Sequence, residues 1–212
     1  MSTIIVSTQT SRRSVFSTKF STVATVVFLS VSLLGFGSSL WIHTKAQLAQ
    51  YLIAHAWQKT LAANDAEATI KPWHWADTWP VARLRIPEQG IDLYVLAGAQ
   101  GNSLAFGPGH ISSTQLPTQQ GTVAISGHRD THFNFLQHVS KGTAIELQNS
   151  RGQWRTYRVT GLEIKNSSTE PWQIDTSADL LTLITCYPFD AVAPGGPLRY
   201  LVTAQPLPLS MH

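Results

Sequence analysis

Residues 180–190, LLTLITCYPFD, place Cys186 at the end of an apolar run that a proline interrupts two residues later. A short apolar run of this kind is typical of a buried strand, and proline ends the pairing because it has no N–H group to donate. Cys186 is the only cysteine in the chain, which excludes an intrachain disulfide and a metal site built from several cysteines. Such a cysteine is either a small buried side chain or a nucleophile held by a rigid scaffold.

A second strand end carries polar side chains in residues 124–136, AISGHRDTHFNFL. The apolar residues stop just before His128, at the kind of strand-to-loop boundary from which catalytic groups project. A single histidine at such a place is commonly structural. The alternating residues His128, Asp130 and His132, with His110 earlier in the sequence, are an alternative set of metal ligands.

Seven segments of the chain have the composition of β-strands and are separated by clusters of glycine, proline, serine and asparagine. They are residues 81–86, 91–97, 121–126, 143–148, 153–165, 180–186 and 199–205. In the longest segment the alternation of apolar residues changes parity between Val159 and Leu162, so Gly161 indicates a bulge or a break. We expect a single all-β domain, a sandwich or a barrel.

A charge-free segment near the N-terminus predicts a membrane span. No Asp, Glu, Lys or Arg occurs from residue 20 to residue 44, and residues 23–42 are mostly apolar. Twenty helical residues cover about 30 Å, which is the thickness of a hydrocarbon core. Three basic residues precede the span and only Lys45 closely follows it, so the positive-inside rule places the N-terminus in the cytoplasm. A transit peptide, a cleaved signal peptide and a buried core helix are the alternatives.

These patterns divide the chain into five parts. They are a cytoplasmic tail over residues 1–20, a transmembrane helix over 21–42, a juxtamembrane helix or linker over 43–70, a β domain over 71–207 and a tail over 208–212. Within the third part, residues 46–63 have apolar side chains at i, i+3 and i+4 spacing, which predicts a helix that docks or acts as a stalk.

The distribution of charge excludes nucleic acid as a partner. The formal charge is +3, but residues 1–70 carry five basic and two acidic side chains, whereas the rest of the chain carries ten of each. The β domain therefore has no basic excess with which to bind phosphates.

Three short motifs follow the predicted membrane span in a fixed order: AISGHRD at 124–130, TLITC at 182–186 and LRY at 198–200. In this order they resemble the sortase family of cysteine transpeptidases, which has a Thr-Leu-x-Thr-Cys strand, an earlier histidine and a later arginine. The stretches SLAFGPGH (103–110) and TCYPFDAVAPGGPLRY (185–200) look most like the Gram-negative branch of that family, called class GN or marine proteobacterial. The resemblance covers about residues 73–206.

The resemblance implies a fold and an activity. The implied fold is a closed eight-stranded β-barrel with short helices and loops, preceded by one transmembrane helix. The implied activity is cleavage of an LPXTG-like C-terminal sorting signal on a secreted or membrane protein, with release of the product to an amine or to water. The implied location is the bacterial inner membrane with the catalytic domain in the periplasm. No cofactor and no metal are expected.

The resemblance also assigns roles to individual residues. Cys186 corresponds to the nucleophile, His128 to the acid and base, and Arg199 to a permanent cation that favours the thiolate and holds the oxyanion. These roles agree with general chemistry, because a thiolate is the active nucleophile and a positioned cation stabilises developing negative charge. Thr185 corresponds to a supporting residue of the family's site.

Two other functions stay open from the sequence. One is a metal-dependent hydrolase that uses His128, Asp130 and His132, and the other is a non-enzymatic, membrane-tethered β domain for envelope assembly. Arg129 and Asp130 either orient the neighbouring histidine or pair with each other in a loop.

The aromatic stretch PWHWADTWP (72–80) also has two interpretations. Trp73, Trp75 and Trp79 are either a platform for a carbohydrate or part of a segment that wraps the barrel, and the second is favoured.

Overall fold

The structure, a computed structural model, describes residues 14–63, 69–101, 103–117, 119–169, 174–191, 193 and 195–208. Its helices are α1 (Ser14–Ala63) and α2 (Ser103–Phe106). Its strands are β1 (Pro80–Ile86), β2 (Ile91–Ala97), β3 (Gly109–His110), β4 (Val123–Ser126), β5 (Ala144–Asn149), β6 (Trp154–Asn166), β7 (Leu181–Cys186) and β8 (Leu198–Pro206). Two 3₁₀ helices, Pro87–Gln89 and Asn134–His138, complete the elements of the described residues.

The eight strands form a closed barrel in the order β1-β2-β3-β4-β7-β8-β6-β5, with β5 pairing back onto β1. Two pairs are parallel, β2 with β3 and β4 with β7, and the other pairs are antiparallel. Among the described strands, closure gives each one a neighbour on both sides. The closed eight-stranded barrel expected from the resemblance is confirmed.

The core lies inside the barrel. Along β1, alternate residues are buried, and Ala82, Leu84 and Ile86 point into the core while their neighbours are half-exposed. All of β7 up to Thr185 is buried, because its outer face is also covered. Double burial explains why this strand is a continuous apolar run in the sequence rather than an alternating one.

The seven predicted strands are all present, and an eighth was missed. The missed strand, β3, is the two-residue segment Gly109–His110 between β2 and β4. A Cβ atom on Gly109 would lie 2.2 Å from the carbonyl oxygen of Gly98, so only glycine allows β3 to approach the end of β2. The predicted irregularity at Gly161 is a bulge, because the register of β6 on β8 shifts between Val159 and Gly161.

The chain divides into two compact units, one ending at Gln47 and the other beginning at Leu48. The second unit contains the barrel and the last part of α1. In that part Ile53, Ala56, Trp57 and Thr60 are buried at helical spacing. The Trp57 Nε1–H group donates a 3.3 Å hydrogen bond to the side-chain oxygen of Gln148, so this end of the helix is docked on the barrel.

Helix α1 also contains the segment that the sequence predicts to span a membrane. Within the part of the chain that the structure describes, no helix combines the length and apolarity that a membrane crossing requires.

Candidate active site

Two parallel strands bring the first two predicted site residues to the same edge of the barrel. Ser126, the last residue of β4, pairs with Ile184 of β7, and the Gly127 N–H group extends the pairing with a 3.1 Å hydrogen bond to the Ile184 carbonyl oxygen. His128 therefore follows β4 at the level where Cys186 ends β7. Parallel pairing supplies the proximity that two distant sequence motifs cannot reveal by themselves.

The third predicted residue lies on the other neighbour of β7. Strand β8 is antiparallel to β7, and Arg199 is the direct partner of Cys186 in this register. The Cβ atoms of such partners are about 4.5–5.5 Å apart and lie on the same face of the sheet. The side chains of Cys186 and Arg199 are thus neighbours, and both are half-buried.

A groove of about 730 Å³ runs over these strand ends, and Cys186, His128 and Arg199 all line it. Its floor includes Ser126 and Gly127 together with Ile184 and Thr185, and its walls come from the segment after β2, from α2 and from the loop after β3. His128 is exposed to the groove. The groove is open to solvent.

Thr185 ties the two strand ends together. Its side chain is 1% exposed, and its hydroxyl donates a 2.7 Å hydrogen bond to the Gly127 carbonyl oxygen. Gly127 has no room for a side chain, because a Cβ atom there would lie 2.7 Å from the ring of the buried Phe133. The turn that carries His128 is therefore packed on one side and hydrogen-bonded to the strand of Cys186 on the other.

The Arg199 guanidinium is oriented by its own loop. Its Nη1 group donates to the carbonyl oxygens of Gly196 at 2.7 Å and Leu198 at 2.9 Å. Both bonds use Nη1, so Nε and Nη2 make no hydrogen bond to the described part of the chain. The guanidinium of Arg199 is thus held by the end of the loop, on the strand residue that pairs with Cys186 and lines the groove.

Arg129 has a different environment from its neighbour His128. Its side chain is only 3% exposed, and it donates to the carbonyl oxygens of Pro188 at 2.8 Å, Ala191 at 2.8 Å and Ala193 at 2.9 Å. Its Nε group also donates to the Asp130 carboxylate at 3.3 Å. The sequence predicted only the pairing of Arg129 with Asp130, as one of two alternatives. The three contacts with the loop after Cys186 join residues about sixty positions apart, and no local pattern signals them.

The alternative metal site is not supported by the geometry. Among the described residues, which include His110, His128, Asp130 and His132, no three His, Cys, Asp or Glu side chains are arranged to hold a metal ion. The Asp130 carboxylate instead pairs with Arg129.

Two of these histidines, His110 and His132, contact backbone groups of the protein. His110 is buried, and its Nε2 atom lies 2.9 Å from the Gln115 carbonyl oxygen. Burial lowers the pKa of His110, against an opposing effect of that hydrogen bond. Burial also lowers the pKa of His132, whose ring bonds to the backbone of Ala105 next to the groove wall.

The three tryptophans do not form one platform. Trp73 packs edge-on against Phe106 of α2 with ring centroids 5.2 Å apart, whereas Trp75 is 73% exposed beside His74. Trp79 lines a separate cavity of about 610 Å³ at the start of β1. This arrangement agrees with a segment that wraps the barrel and not with a stacked sugar platform.

Comparison with known proteins gives one family. The model of the sortase domain matches residues 84–207. The chain is 32% identical over 120 residues to sortase D of Bacillus subtilis (strain 168), an alignment that covers 56% of this chain and 60% of that protein. The chain thus spans about three-fifths of the length of this relative.

Solved structures show the same relationship. Sortase A from Corynebacterium diphtheriae has a TM-score of 0.54 and 28% identity, covering 64% of each chain. Sortase C-1 from Actinomyces oris has a TM-score of 0.52 and 26% identity, covering 74% of this chain and 98% of that one. Because the family model covers more than half of the sequence and these relatives share its barrel, the chain belongs to the sortase family.

Proposed function

We propose that the protein is a membrane-anchored cysteine transpeptidase that cleaves a C-terminal sorting signal from a secreted or membrane protein. The observation that carries the proposal is the convergence of Cys186, His128 and Arg199 on one groove from three different strand ends. A thiol, an imidazole and a permanent cation in one groove provide a nucleophile, a proton carrier and an electrostatic stabiliser.

In the first half-reaction the Cys186 thiolate attacks the carbonyl carbon of the scissile peptide bond. The negative charge that develops on the carbonyl oxygen is held by the Nε and Nη2 donors of Arg199. When the intermediate collapses, the C–N bond breaks, a thioester forms, and the His128 imidazolium gives its proton to the departing amine. Acylation thus leaves the retained part of the substrate attached to Cys186 and His128 neutral.

In the second half-reaction the neutral His128 takes a proton from the incoming nucleophile. An amine then attacks the thioester carbon, the C–S bond breaks, and a new amide forms while the Cys186 thiolate returns. Water in the place of the amine gives a free carboxylic acid by the same steps. The groove is open to solvent, so the relative rates of the two outcomes depend on how well an amine occupies it.

The substrate class follows from likeness to the family. A sorting signal presents an extended LPXTG-like segment, and the open groove of about 730 Å³ over the ends of β4 and β7 offers space for one. The similarity of SLAFGPGH (103–110) and TCYPFDAVAPGGPLRY (185–200) to the Gram-negative branch is the basis for proposing that the catalytic domain lies in the periplasm.

Membrane anchoring through residues 21–42 is also part of the proposal. Large apolar side chains in this segment are exposed along α1, including Phe28 at 73%, Leu33 at 75% and Leu34 at 75%. Exposed apolar side chains of this size are unfavourable in water and favourable in hydrocarbon. A reporter fused after residue 70 should be active only on the periplasmic side, and activity in the cytoplasm would refute this topology.

The test of the proposed function is to trap the acyl-enzyme from cells that express the full chain. After rapid acid quenching, a protein fragment should be recovered attached to Cys186, and its sequence should end inside a sorting motif. The Cys186→Ser protein, expressed at the same level, is the matched control and should recover none. Equal recovery by both proteins would exclude the thioester mechanism and favour a non-enzymatic tether.

A further inference from the structure

Two arginines hold the loop that connects β7 to β8, and they hold different parts of it. Arg129 binds carbonyl oxygens between positions 188 and 193, and Arg199 binds the carbonyl oxygen of Gly196 near the end of the loop. The loop begins directly after Cys186 and ends directly before β8. The first arginine comes from another part of the sequence, next to His128, so the loop is attached to the histidine turn.

Arg129 is buried and its donors are satisfied, unlike those of a typical surface arginine. A charged group that is 3% exposed is costly to bury unless its donors are satisfied. Here four hydrogen bonds use Nε, Nη1 and Nη2, and three of them end on backbone carbonyl groups. The Asp130 side chain that completes the set is 66% exposed, so the loop carbonyl groups provide most of the buried environment.

The contacts of Arg129 require a planar group with several N–H donors. The three carbonyl groups belong to separate residues, and a guanidinium reaches them because its N–H groups point in fixed, divergent directions. A lysine has a single ammonium group at the end of its chain and cannot span the same three acceptors. The loop conformation thus depends on arginine at position 129 and not only on positive charge.

We propose that Arg129 is a positioning residue that sets the orientation of the Arg199 guanidinium through the loop between them. Arg129 fixes the first part of the loop, the loop places the Gly196 carbonyl oxygen, and that oxygen holds Nη1 of Arg199. With Nη1 fixed, Nε and Nη2 remain as donors on a side chain that lines the groove and pairs across the strands with Cys186. The inference rests on the proposed function, because its effect is exerted on the group that holds the oxyanion.

The test is a double-mutant cycle on the rate of acylation in the full chain. The four proteins are the wild type, Arg129→Lys, Arg199→Ala and the double variant, and the probe is an LPXTG-like peptide under single-turnover conditions. The Arg129→Lys protein should be acylated about 10²-fold more slowly than the wild type, which is the loss expected when a catalytic group is misplaced by about 1 Å. In the Arg199→Ala background the same change should have little effect, because the group that it positions is already absent.

Two controls accompany the cycle. Arg158→Lys alters another arginine that donates to a loop carbonyl oxygen, that of Gly142 at 3.0 Å, and should leave acylation unchanged. Asp130→Asn removes the exposed ion-pair partner of Arg129 while the loop contacts remain, and it too should have little effect. If the unfolding temperature of Arg129→Lys differs from that of the wild type, Arg129→Gln serves as the second variant.

The outcomes distinguish this inference from the proposed function. A folded Arg129 variant that acylates at the wild-type rate, or one that loses the same factor with and without Arg199, would overturn the positioning role. Hydrogen exchange over residues 187–197 gives a readout that needs no peptide, and faster exchange in Arg129→Lys is expected. If the wild type forms no thioester, the proposed function fails. Independently of that result, unchanged hydrogen exchange over residues 187–197 in Arg129→Lys would overturn the inference.

Discussion

The Thr185 hydroxyl donates a 2.7 Å hydrogen bond to the Gly127 carbonyl oxygen, and this bond joins the strand of the proposed nucleophile to the turn of the proposed acid and base. Thr185 is adjacent to Cys186 in sequence, and Gly127 is adjacent to His128. Each partner thus lies one residue from a proposed catalytic group. The bond is buried, so water cannot replace it if the hydroxyl is removed.

Replacement of Thr185 by valine should therefore affect both stability and rate. The change preserves shape but leaves the Gly127 carbonyl oxygen without this donor, at an expected cost of about 1–3 kcal/mol in the free energy of unfolding. Acylation should also slow, because the histidine turn loses its tie to the cysteine strand. Thr185→Ser keeps the hydroxyl and is the matched control. Denaturant unfolding and single-turnover acylation measure the two effects, and equal behaviour of both variants would contradict the role of the bond.

Arg199 should not be replaceable by lysine. Lysine keeps the charge, but it loses the planar guanidinium, whose Nε and Nη2 groups remain available as donors when Nη1 binds the loop. We expect Arg199→Lys and Arg199→Ala to slow thioester formation by similar factors of roughly 10²–10³, the usual loss for an oxyanion donor. A lysine variant with most of the wild-type rate would show that net charge alone matters.

The docked end of α1 should contribute to the stability of the barrel unit. Trp57 is fully buried and bonds to Gln148, so Trp57→Ala should lower the free energy of unfolding by about 3–5 kcal/mol. Trp75→Ala is the control, because that side chain is 73% exposed and should cost less than about 0.5 kcal/mol. Equal losses in the two variants would contradict the docking of this helix on the barrel.

One buried and one half-buried histidine should make stability depend on pH. Burial lowers the pKa of His110 and His132 below the ordinary value of 6.5, so the folded protein keeps both rings neutral where the unfolded chain already binds protons. The free energy of unfolding should be highest above pH 6.5. It should fall below that pH by up to about 1.4 kcal/mol per pH unit for the buried His110 ring, and by less for the half-buried His132 ring, until the lowered folded pKa is passed.

His110→Gln tests this dependence, because glutamine keeps an N–H group for the Gln115 carbonyl oxygen but does not titrate. The variant should lose part of the slope between pH 6.5 and lower pH in urea unfolding experiments. An unaltered slope in His110→Gln would refute the assignment.

Much of the barrel was predictable because its strands are defined by local patterns. The apolar run that ends at Cys186 and the parity change at Gly161 both indicate local structure correctly. Strand β3 was not predictable, since two residues cannot show a period, and its cause is the close approach of Gly109 to the end of β2.

The candidate site was predictable as a set of residue types but not as a set of contacts. The order of the motifs predicts that Cys186, His128 and Arg199 are site residues. Their proximity depends on the parallel pairing of β4 with β7 and on the antiparallel pairing of β7 with β8. The burial of Arg129 under the loop after Cys186 also depends on this tertiary arrangement. The docking of Trp57 on Gln148 is a further long-range contact that helical spacing alone does not identify.

The most direct test of the account is the intact mass of the full-length protein after acid-quenched reaction with an LPXTG-like peptide. The wild type should gain the mass of the acyl fragment at one position, Cys186, and the His128→Ala protein should gain it about 10²–10⁴-fold more slowly. The Cys186→Ala protein, shown to unfold at the wild-type temperature, should gain no mass and cleave no peptide. Cleavage of the peptide by that folded Cys186→Ala protein at the wild-type rate would contradict the account.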